Sequence, residues 1–133
     1  MSNINVKRIS TSKKEIFRYW LEFLKPYHKL RQKEIEVLSL MLYYMYELSR
    51  EVKNPKLVNK LLFSTETRNQ IREDLGGMGQ KVFNNLLSSL RKKKVLSANN
   101  VINPVLIPNM TEDGFQLIFN FEIDPKTRRN ETQ

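Results

Sequence analysis

The most informative stretch of this chain is residues 71–96, which read IREDLGGMGQKVFNNLLSSLRKKKVL. Ile71 and Leu75 are four residues apart and share one face of a helix. That helix is expected to end at Gly76, because glycine adopts a positive φ at little cost. A second apolar series then follows at helical spacing: Val82, Leu86 and Leu90, widened by Phe83 and Leu87. The stretch therefore predicts two helices joined by a glycine-rich turn, each with one buried face.

The opposite face of the second predicted helix is polar and cationic. Amides and cations on an exposed helix face are the side chains that contact base edges and phosphates in the major groove of DNA. We therefore predict double-stranded DNA as a partner. The candidate DNA-binding residues are Gln80, Lys81, Asn84, Asn85, Ser88, Arg91, Lys92 and Lys93. The alternative is a helical hairpin whose lysine-rich face is merely solvated.

The chain resembles the winged helix-turn-helix superfamily of DNA-binding proteins. The matching positions are Ile71, Leu75, Gly76, Val82 and Leu86, followed by the segment 93–96 that leads towards a strand. The turn at 76–79 departs from the family pattern because it has no Ser or Thr cap, and in the segment Lys93-Lys94 lysine stands where glycine is common. Residues 99–104, NNVINP, also resemble part of the winged-helix replication initiators of small plasmids and phages. The resemblance implies DNA binding through the second helix.

Two apolar runs after residue 96 predict a wing. Residues 101–107 and 115–123 are rich in Val, Ile and Phe, and the second run alternates apolar and polar residues with a period of two. The turn-rich segment 108–114 between them ends in Asp-Gly, which suits a hairpin. Pro104 removes a backbone donor, so its strand should lie at an edge or carry a bulge. The predicted fold class is mainly α with a C-terminal β-hairpin, a winged helix-turn-helix. The predicted wing tip contains Glu112 and Asp113, which DNA phosphates would repel.

Further helices are predicted ahead of this motif. Ser12 and Glu15 have the form of a capping box, and Asn54-Pro55 and Ser64 or Thr65 are start signals for two later helices. Between them, residues 33–50 form a predicted helix that is apolar nearly all round. Such a helix must be buried on most sides, either by neighbours in its own chain or by a partner subunit. A homodimer or a larger protein assembly is therefore a further prediction.

Composition and charge favour one small basic domain. The chain has 133 residues, a formal net charge of +9 and no Cys, which excludes disulfides and thiolate chemistry. Nine Lys and Arg against three Asp and Glu occur in residues 1–34, and five against none in residues 81–94. This distribution is an electrostatic footprint for a polyanion. We predict a single domain over residues 1–123, with a helical N-terminal extension, and a polar basic tail over 124–133.

No catalytic constellation is evident in the sequence. His28 is the only histidine, so we predict no metal, no cofactor and no enzymatic activity. No segment is long and apolar enough to span a bilayer, and we expect the protein in a bacterial or host cytoplasm, or in a virion. The leading hypothesis is a phage or mobile-element protein that controls transcription or replication. The alternatives are a phage virion structural or assembly subunit and a nucleic-acid-binding accessory without sequence preference.

Overall fold

Six α-helices make up most of residues 6–126, the part of the chain that a computed structural model describes. A single 3₁₀ turn at Pro104–Leu106 follows the last of them. The helices are α1 (Lys13–Phe23), α2 (Lys25–His28), α3 (Gln32–Glu51), α4 (Pro55–Leu62), α5 (Thr65–Asp74) and α6 (Gln80–Lys92). The mainly helical part of the predicted fold class agrees with this architecture.

Helix α3 lies at the centre of the core. Residues 37–42 of α3 are all buried, and Ile35, Leu38 and Leu42 expose no surface. Helices α1, α4, α5 and α6 all pack against it. The neighbours of α3 within its own chain therefore provide the cover that its apolar sequence demands, and α3 by itself supplies no reason for a partner subunit.

The helix starts follow the local signals in the sequence. The Ser12 hydroxyl accepts a hydrogen bond from the Glu15 amide at 3.1 Å, and the Asn54 side chain accepts one from the Lys56 amide at 3.0 Å. Ser64, rather than Thr65, is the cap of α5. These caps satisfy amides that have no partner inside their helix, which is why they mark the starts of α1, α4 and α5. The three predicted caps are confirmed. Of the capping box predicted at Ser12 and Glu15, however, only the Ser12 half is present among the described residues, and the Glu15 carboxylate accepts from Arg18 instead.

The buried face of α6 differs from the predicted one by part of a turn. Phe83, Leu87 and Leu90 are buried, whereas Leu86 is half-buried and Val82 is 53% exposed. The predicted apolar face was centred on Val82, Leu86 and Leu90, with Phe83 and Leu87 at its edge. Phe83 takes the central place because its larger apolar surface gains more from leaving water than that of valine.

The predicted C-terminal hairpin is wrong, and with it the winged form of the fold. Within residues 6–126 there is no β-strand, only two isolated bridges, Leu96 with Ile102 and Thr111 with Gly114. The first predicted strand fails at Pro104, which has no amide hydrogen. The Asn103 side chain accepts from the Val105 amide at 3.1 Å and starts the 3₁₀ turn. The backbone of 101–107 therefore bends away from an extended path, and 115–123 has no strand beside it.

The predicted wing tip is held against the helices instead. The Glu112 carboxylate accepts hydrogen bonds from Lys13 Nζ at 2.7 Å and from the Tyr46 hydroxyl at 3.1 Å, and it forms an ion pair with Arg50 Nε at 3.2 Å. The Lys13 and Tyr46 hydrogen bonds hold the pKa of Glu112 below its ordinary value. Its charge is thus balanced by α1 and α3.

In the part of the chain that the structure describes, none of the helices combines the length and the apolar character needed to cross a bilayer. Of the predicted tail 124–133, residues 127–133 lie outside the described residues.

Candidate nucleic-acid interface

Helix α6 is fixed in orientation by its apolar face. Phe83, Leu87 and Leu90 belong to the same core cluster as α1, α3 and Ile71 of α5. Three buried anchors over two turns leave the helix no freedom to roll, because each roll would expose apolar surface. The opposite face of α6 is therefore presented to solvent in one defined orientation.

The solvent face of α6 carries a continuous polar stripe. Its members are spaced four, three and four residues apart, so they line up along one side of the helix. At about 1.5 Å of rise per residue the stripe is roughly 16 Å long, and a helix of this kind fits the major groove. We call it the α6 stripe, and it consists of the exposed residues Lys81, Asn85, Ser88 and Lys92, with Gln80 beside its N-terminal end.

The lysines of the α6 stripe are available for an external anion. Neither Lys81 nor Lys92 forms an ion pair with any of residues 6–126. No acidic residue occurs in the sequence between Asp74 and Glu112. The local field along α6 is therefore positive.

Asn84, a predicted base-contacting residue, is used inside the protein. Its side-chain oxygen accepts a hydrogen bond from Arg68 of α5 at 2.5 Å. The same guanidinium lies 5.9 Å from the centre of the Phe83 ring, a cation–π contact. Arg68 thus ties α5 to α6, and Asn84 is half-buried beneath the outer surface. Of the two adjacent asparagines, Asn85 is the one that faces solvent.

Arg91 is likewise held by an internal contact. Both its Nε and one terminal nitrogen donate to the side-chain oxygen of Asn100, at 2.9 and 2.7 Å. Asn100 adopts a positive φ of 62°, a conformation that asparagine tolerates better than most residues. The pair fastens the C-terminal end of α6 to the loop after it.

Lys93 forms an ion pair with a buried carboxylate. Its ammonium lies 2.6 Å from Oε1 of Glu34, which is 1% exposed and also accepts from Ser89 at 2.5 Å and from the Arg31 amide at 2.8 Å. Burial acts to raise the pKa of Glu34, but the bonds from Lys93, Ser89 and the Arg31 amide outweigh it and lower that pKa below its ordinary value. The contact joins α6 to α3.

The turn between α5 and α6 is closed by Arg72. Gly76 and Gly77 both have a positive φ, 80° and 81°. The Arg72 carbonyl accepts from the amides of Gly77 and Met78, both at 3.0 Å, and its guanidinium donates to the Met78 carbonyl at 2.9 Å. The predicted glycine-rich turn is confirmed. The Arg72 carbonyl closes the C-terminal end of α5, and α6 begins after Gly79 without a hydrogen bond from a capping side chain.

The eight predicted site residues therefore divide into two groups. Five face solvent along or beside the α6 stripe, and three are committed to the protein itself: Asn84, Arg91 and Lys93. Sequence reasoning missed their partners Arg68, Asn100 and Glu34. The Arg68 and Asn84 pair spans 16 residues and the Glu34 and Lys93 pair spans 59, so no local pattern could have paired them.

Comparison of the chain with protein-family models, with curated proteins and with solved structures gave no match.

Proposed function

We propose that this protein binds double-stranded DNA, with the α6 stripe placed in the major groove. The observation that carries the proposal is the stripe itself, a rigidly mounted row of amide, hydroxyl and lysine side chains with no acidic residue in α6. Amide side chains pair with base edges, and lysines neutralise phosphates. Control of transcription or replication is the role that this chemistry suits best.

The division of the α6 residues sharpens the proposal. Asn85 and Ser88 lie in the middle of the stripe, where base edges would be met. Lys81 and Lys92 lie towards its two ends, and each would approach a phosphate strand. Arg91 and Lys93 hold α6 in place, so their contribution to binding is indirect.

The first test is a salt titration of the full chain with a random duplex. The wild type is expected to bind at low salt and to weaken steeply as salt rises, since each neutralised phosphate contributes about −0.9 to the slope of log K against log salt. Lys81→Ala with Lys92→Ala should flatten that slope by about two units. Lys56→Ala with Lys60→Ala removes the same charge from the exposed side of α4, outside both basic regions of the sequence, and should leave the slope unchanged. Absence of duplex binding by the wild type at low salt would refute the proposal.

The second test separates the two adjacent asparagines. On a site selected from random duplexes, Asn85→Ala is expected to lose about 1–3 kcal/mol of binding free energy and to relax sequence preference, because an amide can pair bidentately with adenine. Asn84→Ala should keep the sequence preference and instead lower the unfolding free energy by about 1 kcal/mol, since it leaves Arg68 without its acceptor. Competition binding and denaturant unfolding measure the two effects. Loss of preference in Asn84→Ala but not in Asn85→Ala would contradict this assignment.

A structural or assembly role is the second candidate, and exposed apolar residues at the C-terminal end favour it. Ile118 and Phe121 are 89% and 92% exposed, which is unusual for side chains of this size. Such residues suit a protein contact. If duplex DNA does not bind, this role becomes the leading one.

A further inference from the structure

Residues 115–123 have the sequence of a strand but no strand beside them. Apolar residues alternate along the segment: Phe115, Leu117, Phe119, Phe121 and Ile123. None of these nine residues forms a backbone–backbone hydrogen bond with any part of the chain from 6 to 126. A segment of high β-propensity with open backbone donors and acceptors is a template for pairing with another strand.

Helix α1 covers only the first half of this segment. The Phe115 ring packs edge-on against Trp20, with ring centres 5.3 Å apart, and the Phe119 ring lies 6.0 Å from Phe23. Beyond Phe119 the cover ends, and Phe121 is almost fully exposed. Phe23 itself remains 46% exposed. The apolar face of 115–123 and the face of α1 that it contacts therefore each keep part of their apolar surface exposed to solvent.

We propose that two copies of this chain dimerise by antiparallel pairing of residues 115–123 about a two-fold axis at Phe119. In this register all five apolar residues of the alternating face meet apolar residues of the second copy. The pairs are Phe115 with Ile123, Leu117 with Phe121, and Phe119 with itself. On the other face Gln116 meets Glu122 and Ile118 meets Asn120, so no like charges lie opposite each other.

The ends of the segment fix this register. Gly114 precedes it, and Pro125, two residues after Ile123, cannot donate to a ladder. A shift of the axis to residue 118 would leave Ile123 opposite Asp113, and a shift to residue 120 would leave Phe115 opposite Pro125. Only the axis at Phe119 pairs the whole segment with itself.

The same register completes the cover that α1 begins. In an antiparallel pair, residues 119–123 of one copy lie beside residues 115–119 of the other. This places Phe121 and Ile123 against helix α1 of the second copy, where the half-exposed Phe23 offers apolar surface that they can cover. A two-stranded ribbon is marginal alone, but here each half is backed by a helix. The contact is isologous and closed, as two-fold interfaces are. It does not depend on the DNA-binding proposal.

Cysteine scanning tests the register, because the chain has no native cysteine. Under mild oxidation, Phe119→Cys is expected to form a disulfide-linked dimer, since directly opposed residues have Cα atoms about 4.5–5.5 Å apart. Leu117→Cys alone and Phe121→Cys alone should not cross-link, because each cysteine lies about four residues, roughly 14 Å, from the same cysteine in the other copy. An equal mixture of the Leu117→Cys and Phe121→Cys chains should cross-link.

Measuring the mass of the protein in solution is a second test, and its variants keep Phe119, the residue on the proposed two-fold axis. The wild type is expected to show twice its chain mass of 15.8 kDa by light scattering, and Phe121→Asp should revert to the single-chain mass with unchanged helical circular dichroism. Ile118→Thr, on the other face of the strand, should stay dimeric. A wild type of single-chain mass up to high micromolar concentration would overturn the proposal. So would equal cross-linking of all three single cysteines, which indicates parallel pairing, or cross-linking of none.

Discussion

Phe83→Ala is expected to lower the unfolding free energy by about 4 kcal/mol. Phe83 is 1% exposed and lies in the core cluster that joins α6 to α3 and α5. Its removal leaves a cavity and also takes away the ring that Arg68 faces. For a domain of this size such a loss is a large part of the total stability, which is typically about 5–15 kcal/mol.

Val82→Ala is the matched control for this prediction. The two residues are adjacent in sequence, but Val82 is 53% exposed, so its truncation should change stability by less than about 0.5 kcal/mol. Chemical denaturation followed by circular dichroism measures both variants. Similar losses in the two, or a larger loss in Val82→Ala, would show that the α6 register described above is wrong.

Lys93→Met is expected to destabilise the protein by about 3 kcal/mol at neutral pH. The methionine keeps most of the apolar stem but leaves the Glu34 carboxylate buried without its counter-charge. Lys92→Met, one residue earlier, changes an exposed lysine outside any ion pair among residues 6–126 and should be nearly neutral.

The pH dependence of Lys93→Met follows from the pKa of Glu34. In the wild type this pKa is lowered, so its stabilising contribution is fully present above the pKa of the unfolded chain and is lost as pH falls through the folded value. In the variant the Lys93 bond is gone, and burial shifts the pKa of Glu34 upwards. The difference between wild type and variant should therefore be largest at neutral pH and shrink on acidification. Unfolding curves across this range check it.

The double variant Lys93→Met with Glu34→Gln completes a thermodynamic cycle. A neutral amide at position 34 keeps hydrogen-bonding capacity and needs no counter-charge, so the double variant should recover part of the loss. If Lys93→Met destabilises by the same amount at every pH, the effect comes from packing, and the ion-pair explanation fails.

The C-terminal segment shows where a correct local pattern led to a wrong fold. The alternation in 115–123 is real, and Phe115 and Phe119 do share a face. Whether an alternating segment forms a strand depends on a neighbouring strand to bond with, and residues 101–107 do not provide one because the 3₁₀ turn at Pro104–Leu106 interrupts them. Pro104 is visible in the sequence. Its effect on residues 115–123, which lose their partner strand, could not be predicted from local sequence because the two segments are more than ten residues apart.

The candidate site divides in the same way. The position of α6, its polar face and the glycine turn before it were predictable, because helical spacing and positive-φ glycine act within a few residues. The sequence did not show that three polar residues of this region bind partners inside the protein: Asn84, Arg91 and Lys93. A solvent-exposed lysine and an ion-paired lysine cannot be distinguished by sequence alone.

The sequence predicted every helix except the short α2 (Lys25–His28), because capping residues, helix-ending residues and periodicity act between neighbours along the chain. Ser12, Asn54, Ser64 and the glycine pair after α5 fixed where helices begin and end. Only the tertiary structure decided which residues of α6 are central to the core and which of its polar groups are left for a partner. It also decided that 115–123 remains unpaired within residues 6–126. These depend on packing volume and on contacts between residues far apart in the chain, where burial and charge balance outweigh local preference.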